Sequence, residues 1–138
     1  MSAALARLGE DGRLTLAVPS KGRMSDPALR LCADAGLSFE ATERSLVVPC
    51  ANAPVDLLLV RTDDIPEYVQ DGVVDLWITV GNLVVETEAA VVELLELGFG
   101  RCTLAAAVPD GSAAHALTGL CGLRVATSYP VSTRKLLA

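Results

Sequence analysis

Short apolar segments alternate along the chain with turn residues and amphipathic stretches. The segment 55–60, V-D-L-L-L-V, is nearly continuously apolar, as expected of a strand that is covered on both faces. Strands are also predicted at 14–18, 45–48 and 73–80, and helices at 26–35, 63–69 and 82–90. Because strands and helices alternate, the pattern predicts an α/β domain with a mostly parallel sheet.

The alternation continues beyond Gly98-Phe99-Gly100, a segment predicted to be a crossover. Strands are predicted at 102–108 and 122–127, with a helix at 112–120 between them and a last helix that opens at Pro130. A second lobe that begins near residue 101 would contain only two strands, and a two-stranded unit is marginal by itself. We therefore expect an N-terminal extension (1–13), a first lobe (14–100) and a partial second lobe (101–138) that is incomplete or finished by another chain.

Composition limits the possible partners. The 138 residues are 51% hydrophobic and carry a formal net charge of −6, which suits a folded domain and disfavours nucleic acid or an anionic membrane as a partner. An anionic ligand would then need a local basic patch or a set of backbone N–H groups. The chain contains no apolar run of about 20 residues and no secretory h-region at its start, so we expect a cytoplasmic protein.

The four cysteines, Cys32, Cys50, Cys102 and Cys121, are widely spaced and match no zinc-binding pattern. We interpret them as reduced, buried and inert thiols. The sequence supports no disulfide.

Basic and hydroxyl side chains follow several predicted strands. Lys21, Gly22 and Arg23 come after the first strand and before a helix, where two cations and a permissive glycine suit a phosphate. An ordinary solvated turn is the alternative. Arg61 follows the most apolar strand, where it would either face a cleft or pair with one of the two aspartates that come after Thr62.

Two further positions have open interpretations. Thr127, Ser128 and Tyr129 lie between a predicted strand and a predicted helix, and they could offer hydroxyl and N–H groups to phosphate or serve only as a helix cap. Asp75 interrupts an apolar run, and we expect it to be a ligand group or to cap a neighbouring helix.

Several chemistries are disfavoured by the sequence. His115 is the only histidine and no nucleophile motif lies near it, so a catalytic triad is not expected. Neither a P-loop nor a G-x-G-x-x-G motif is present, and five aromatic residues (one Trp, two Tyr, two Phe) offer no platform for nucleic-acid bases.

Four ordered segments together resemble a known family. They are A-V-P-S-K-G-R-M-S-D-P-A-L at 17–29, V-R-T-D-D-I-P-E-Y-V-Q-D-G-V-V-D-L at 60–76, E-L-G-F-G-R-C at 96–102 and R-V-A-T-S-Y-P at 124–130. The resemblance, which extends from about residue 14 onward, is to the catalytic chain of the short-form ATP phosphoribosyltransferases of histidine biosynthesis. It implies a two-lobed fold like that of the type II periplasmic binding proteins, with mostly parallel sheets and the active site between the lobes.

The resemblance also implies an activity. A glycosyltransferase (pentosyltransferase) of this family joins N1 of ATP to C1 of phosphoribosyl pyrophosphate, with Mg²⁺ present and pyrophosphate leaving. Lys21, Gly22 and Arg23 would form an anion loop in the first lobe, Arg61 would contact nucleotide or phosphate, and Thr127, Ser128 and Tyr129 would form the opposite wall. A homo-oligomer is expected, and a regulatory subunit resembling histidyl-tRNA synthetase is a plausible partner.

The chain departs from the family pattern in two places. Where the family strand continues G-I-T-G, this chain has Trp77-Ile78-Thr79-Val80, and we hypothesise that the two bulky residues narrow the cleft and impair nucleotide binding. The family's phosphoribosyl pyrophosphate loop, D-x-V-S-T-G-x-T, does not occur in the 138 residues, so we expect a truncated chain with little activity of its own. The alternatives are a non-catalytic nucleotide- or phosphate-binding or regulatory module of the same fold, and a generic α/β domain without a site.

Overall fold

A computed structural model of the chain describes residues 12–40 and 45–138, so most of the predicted N-terminal extension lies outside the described residues. The strands are β1 (Leu14–Pro19), β2 (Val47–Pro49), β3 (Val55–Val60) and β4 (Leu76–Trp77). The α-helices are α1 (Ser25–Asp34), α2 (Ile65–Gln70), α3 (Gly81–Thr87) and α4 (Pro130–Leu137). Short 3-10 turns occur at Thr62–Asp64 and Leu117–Leu120.

The four strands form one sheet in the order β2-β3-β1-β4. The central strand, β1, is parallel to both of its neighbours and pairs with β3 along its whole length, from Leu14 opposite Val55 to Pro19 opposite Val60. Only β2, at the edge, is antiparallel. The predicted mostly parallel α/β architecture is therefore confirmed.

Side chains of successive strand residues point to opposite faces of this sheet, and each face has its own core. On one face, Val18, Leu57 and Ile78 pack with Ala28 and Cys32 of α1. Pro27 lies in the first turn of α1 and Gly36 lies just after its end. The helix forms between them because its apolar residues are buried against this face of the sheet.

The other face of the sheet packs against α2. Ala17 and Val60 contact Ile65 and Val74 there. Leu57 on the first face and Ile65 on the second are fully buried, so β3 is covered on both sides as its apolar sequence predicts.

Strand β4 is much shorter than the predicted strand at 73–80. The amides of Val73 and Val74 donate to the carbonyl of Tyr68 at 2.8 and 3.2 Å, so these residues close the end of α2 instead of pairing in the sheet. Asp75 then accepts a hydrogen bond from the amide of Thr15 at 2.8 Å. The expected helix cap was wrong, because the Asp75 carboxylate binds the backbone of β1, and a role as a ligand group stays a prediction.

The two strands predicted for the second lobe do not form. Residues 101–111 and 121–128 are exposed and lie outside every strand, and the predicted helix at 112–120 is reduced to the 3-10 turn Leu117–Leu120. Strand formation requires a partner, and the part of the chain that the structure describes provides none for these segments. The final helix, α4, begins at Pro130 as predicted.

The cysteines fall into two pairs of different character. Cys32 and Cys50 are buried, and desolvation raises the pKa of the Cys32 thiol, which keeps it protonated and inert. Cys102 and Cys121 are exposed, so the prediction that all four are buried was wrong for these two, which lie in the unpaired segments.

Candidate functional site

The order of the strands locates a crevice at one edge of the sheet. The chain passes from β1 to β3 on one side and then returns to β4 on the other side of β1. In open α/β sheets, ligands bind beyond the carboxyl ends of the strands where the order reverses in this way. The residues that leave β1 (20–24) and β4 (78–80) border this position.

The loop after β1 carries two free cations. Lys21 and Arg23 are exposed and form no hydrogen bond or ion pair with any residue that the structure describes. Gly22 between them has a φ of +85°, a left-handed conformation that glycine adopts without strain. The turn is closed by a 3.2 Å hydrogen bond from the amide of Ser25 to the carbonyl of Gly22. Two charges are therefore presented at the start of α1.

Arg61 leaves the sheet on the neighbouring strand. The amide of Ser20 donates to the carbonyl oxygen of Val60 at 2.7 Å, so the last pairing of β1 with β3 lies between the Lys21 loop and Arg61. Arg61 is exposed and, within residues 12–40 and 45–138, has no ion-pair partner. The alternative of a pair with Asp63 or Asp64 is therefore not observed. Three cationic side chains therefore follow the carboxyl ends of the adjacent strands β1 and β3.

The crossover passes close to the residues that follow β1 and β4. Gly100 has a φ of +71°, and a Cβ at this position would collide with the Sδ of Met24 and lie 3.8 Å from Val80 Cγ1. Met24 follows β1 and Val80 follows β4, so Gly100 lies over the point where the strand order reverses. Leu97 and Phe99 anchor the crossover by packing on the core of the α1 face.

The two bulky residues at the family's glycine positions have different surroundings. Trp77 packs in the core of the α2 face, and its indole Nε1 is buried with no hydrogen-bond partner among the described residues. Val80 borders the crevice directly, beside Gly100. Of these two residues, only Val80 therefore lies at the strand ends, where its side chain would narrow the space for a ligand.

Thr127, Ser128 and Tyr129 precede α4. The Thr127 hydroxyl oxygen accepts hydrogen bonds from the Tyr129 amide at 2.9 Å and from the Thr133 hydroxyl at 3.0 Å, so Thr127 organises the start of the helix. The first amides of α4 are not free either, because those of Val131 and Ser132 donate to Glu86 at 2.9 and 2.8 Å. The hydroxyls of the exposed Ser128 and the half-buried Tyr129 are left without a hydrogen bond among the described residues.

The structure does not bring this loop into contact with the basic loop. Among the described residues, no hydrogen bond connects residues 127–129 with Lys21, Arg23 or Arg61. His115 is exposed.

The carboxylates do not gather into a metal site. No group of three or more His, Cys, Asp or Glu side chains in the described part of the chain is placed to hold a metal ion. The described residues also contain no helix long and apolar enough to cross a membrane.

Two positions escaped the sequence analysis. Gly100 was interpreted only as part of a crossover, and its close contact with Met24 leaves no local signal in the sequence. Glu86 was not singled out, yet it is a lone acid in the otherwise neutral helix G-N-L-V-V-E-T, and its partners lie 45 and 46 residues further along the chain.

Comparison with known proteins gives consistent results. The HisG family model, described as ATP phosphoribosyltransferase, matches residues 61–138. An ATP phosphoribosyltransferase of Rhodopirellula baltica is 42% identical over 138 residues, covering 97% of this chain and 46% of the relative. One from Methanosarcina mazei is 40% identical over 124 residues, covering 88% of this chain and 43% of the relative.

A solved structure agrees with these relatives. The ATP phosphoribosyl transferase (HisG:HisZ) complex from Thermotoga maritima contains a chain that superposes with a TM-score of 0.51 at 26% identity, over 59% of this chain and 39% of that one. The mixed α/β fold with its mostly parallel sheet therefore corresponds to part of a HisG fold, consistent with the periplasmic-binding-protein-like architecture expected. The chain spans less than half the length of the curated relatives that it matches, and it belongs to the HisG family of ATP phosphoribosyltransferases.

Proposed function

We propose that this chain contributes the nucleotide-binding lobe of an ATP phosphoribosyltransferase, a pentosyltransferase that joins N1 of ATP to C1 of phosphoribosyl pyrophosphate. The observation that supports the proposal most directly is the 2.7 Å hydrogen bond from Ser20 to Val60, which sets the Lys21–Gly22–Arg23 loop beside Arg61. In a chain with a net charge of −6, three exposed cations without ion-pair partners in the described residues are suited to polyphosphate.

The proposed chemistry needs no protein nucleophile. N1 of ATP attacks C1 of the ribose, the bond from C1 to the pyrophosphate oxygen breaks, and pyrophosphate leaves with the bonding electron pair. Catalysis then depends on holding the two substrates in line and on cations that stabilise the charge of the leaving group. Arg23 and Arg61 can provide bidentate contacts to phosphate, and Lys21 a point charge.

We propose that Mg²⁺ binds together with the substrate phosphates. Phosphate oxygens are ligands that Mg²⁺ prefers, and the ion would neutralise part of their charge.

The opposite wall of the site and the assembly are also proposals. Thr127, Ser128 and Tyr129 would face the first lobe, with residues 101–138 as the beginning of a second lobe. The structural neighbour is part of a HisG:HisZ complex. This supports a HisZ-like partner for the complete enzyme, which would resemble histidyl-tRNA synthetase. We propose a homo-oligomer in the cytoplasm.

Calorimetric titration of the chain with ATP tests the nucleotide site. Loss of one charge-assisted contact removes about 1.5–3 kcal/mol, so Arg23→Ala and Arg61→Ala should each weaken ATP binding about 10- to 100-fold. Arg30→Ala, an exposed charge on α1 beyond its first turn, is the matched control and should leave affinity unchanged. Equal affinity in all three variants would contradict the proposed site.

A second measurement separates an enzyme from a binding module. The chain is mixed with ATP, phosphoribosyl pyrophosphate and Mg²⁺, together with the remaining half of a relative supplied in trans. Release of pyrophosphate supports the transferase, whereas ATP binding without turnover supports the non-catalytic module.

A further inference from the structure

A carboxylate connects α3 with α4. Oε1 of Glu86 accepts a hydrogen bond from the amide of Val131 at 2.9 Å, and its Oε2 accepts one from the amide of Ser132 at 2.8 Å. Amides in the first turn of a helix have no carbonyl partner within the helix. Glu86 therefore supplies the acceptors that a capping side chain normally provides, but it does so from a different element.

The start of α4 has no other source for these bonds. Its N-cap residue, Tyr129, makes no side-chain capping hydrogen bond, and the Thr127 hydroxyl accepts from the amide of Tyr129 and the hydroxyl of Thr133 instead of from Val131 or Ser132. The positive end of the helix dipole favours a negative charge at this position. Partial desolvation alone would raise the pKa of Glu86, but the hydrogen bonds from Ser132 and Val131 and the nearby charge of Lys135 together hold that pKa below its ordinary value.

A second contact reinforces the same arrangement. Lys135, one turn further along α4, pairs with Glu88 at 2.9 Å. Glu88 ends α3 in a left-handed conformation with a φ of +50°, which directs the chain away from the helix. The ion pair is exposed and contributes little by itself, so Glu86 carries most of the connection.

We propose that Glu86 is a positioning residue, which fixes α4 against α3 and thereby sets where residues 127–129 lie relative to the first lobe. The inference rests on the proposed function, because those three residues are the proposed opposite wall of the nucleotide site. It assigns the first amides of α4 to Glu86 and leaves the hydroxyls of Ser128 and Tyr129 as the loop's donors to a ligand.

Hydrogen exchange at individual amides tests the contact. The 138-residue chain is compared with Glu86→Ala, Glu86→Gln and the control Glu93→Gln, which neutralises an exposed acid that forms no hydrogen bond or ion pair with the described residues. We expect exchange at Val131 and Ser132 to accelerate about tenfold in Glu86→Ala, less in Glu86→Gln because one amide oxygen still accepts, and not at all in the control. Unchanged exchange in Glu86→Ala would overturn the proposal.

Calorimetric titration with ATP tests the positioning role, with urea unfolding as a check that the sheet is intact. Affinity should fall in Glu86→Ala, recover partly in Glu86→Gln and stay unchanged in Glu93→Gln. If Arg23→Ala weakens ATP binding and Glu86→Ala does not, the positioning role is overturned and the proposed function stands. If the unaltered chain binds no ATP, the proposed function and the positioning role are both overturned. Hydrogen exchange then tests only whether Glu86 binds the start of α4.

Discussion

Gly100 lies against the sulfur of Met24 with no room for a side chain between them. Alanine at position 100 must displace the Met24 side chain, and it must also adopt a φ near +71°, which L-residues disfavour. Gly98→Ala is a matched control, since Gly98 has a φ of +76° but open space around its Cβ position.

We expect both glycine variants to lose about 1–2 kcal/mol from backbone strain. Gly100→Ala should lose a further ~0.5–1.5 kcal/mol, because the flexible Met24 can move only into a less favourable rotamer. Midpoints of urea unfolding at constant slope give the comparison. Equal losses in the two variants would show that the crossover does not press on Met24.

Val80 and Trp77 should respond differently to replacement by glycine. Val80→Gly opens the crevice beside Gly100, so we expect ATP affinity to rise severalfold in a calorimetric titration. Loss of the half-buried side chain and the added backbone freedom of glycine should lower the free energy of unfolding by about 1–2 kcal/mol. Trp77→Gly removes a half-buried indole from the core of the α2 face. The loss in the free energy of unfolding should be somewhat smaller than the ~3–5 kcal/mol typical of a fully buried tryptophan, and ATP affinity should not rise. Unchanged affinity in Val80→Gly would refute the narrowing hypothesis.

The ion pair between Arg13 and Asp56 predicts an acid-sensitive contribution to stability. Hydrogen bonds from Arg13, the shortest 2.7 Å, hold the pKa of Asp56 below its ordinary value. A carboxyl with a lowered native pKa stabilises the fold fully above its unfolded pKa of about 3.9, and loses that contribution as pH falls through the native value.

Asp56→Asn should therefore be less stable than the unaltered chain at neutral pH, and the difference should shrink below about pH 4. Urea unfolding at a series of pH values measures it. Asp34→Asn, at the exposed end of α1 with no side-chain hydrogen bond or ion pair in the described residues, serves as the control. A difference that is constant with pH would contradict the assignment.

Leu57 is the residue at which the core of the α1 face should be most sensitive. It is fully buried in the middle of β3, so Leu57→Ala should lower the free energy of unfolding by about 2–5 kcal/mol. Leu46→Ala, at a side chain that is 61% exposed, should change it by less than about 0.5 kcal/mol. Similar losses at the two positions would mean that this core is not packed as described.

Local patterns predicted the first half of the fold well. Continuous apolar runs predicted β1 and β3, and Pro27 with Gly36 predicted α1, because burial on both faces and helix ends leave signals within a few residues. The 73–80 prediction was too long because the amides of Val73 and Val74 turn back to Tyr68, an interaction that apolar character does not reveal.

The second half was predicted less well because strands depend on distant partners. The segments 102–108 and 122–127 have strand-like sequences, but nothing in the described residues pairs with them. The same limit applies to the site. Lys21, Arg23 and Arg61 could be proposed from the sequence because they directly follow strands. The role of Glu86 could not, because it depends on amides that lie 45 and 46 residues away.

The exposed backbone of residues 102–108 makes no hydrogen bond within the part of the chain that the structure describes, and its Leu104 side chain is 47% exposed. Such an edge is a template on which another polypeptide can grow a sheet, so crowding should promote cross-β aggregation at this stretch first. Arg101, which lies at the start of this stretch and pairs with Glu96 at 3.3 Å, would oppose such stacking, because aligned copies would bring like charges together. Replacing Arg101 by a neutral residue should therefore lower the solubility of the chain.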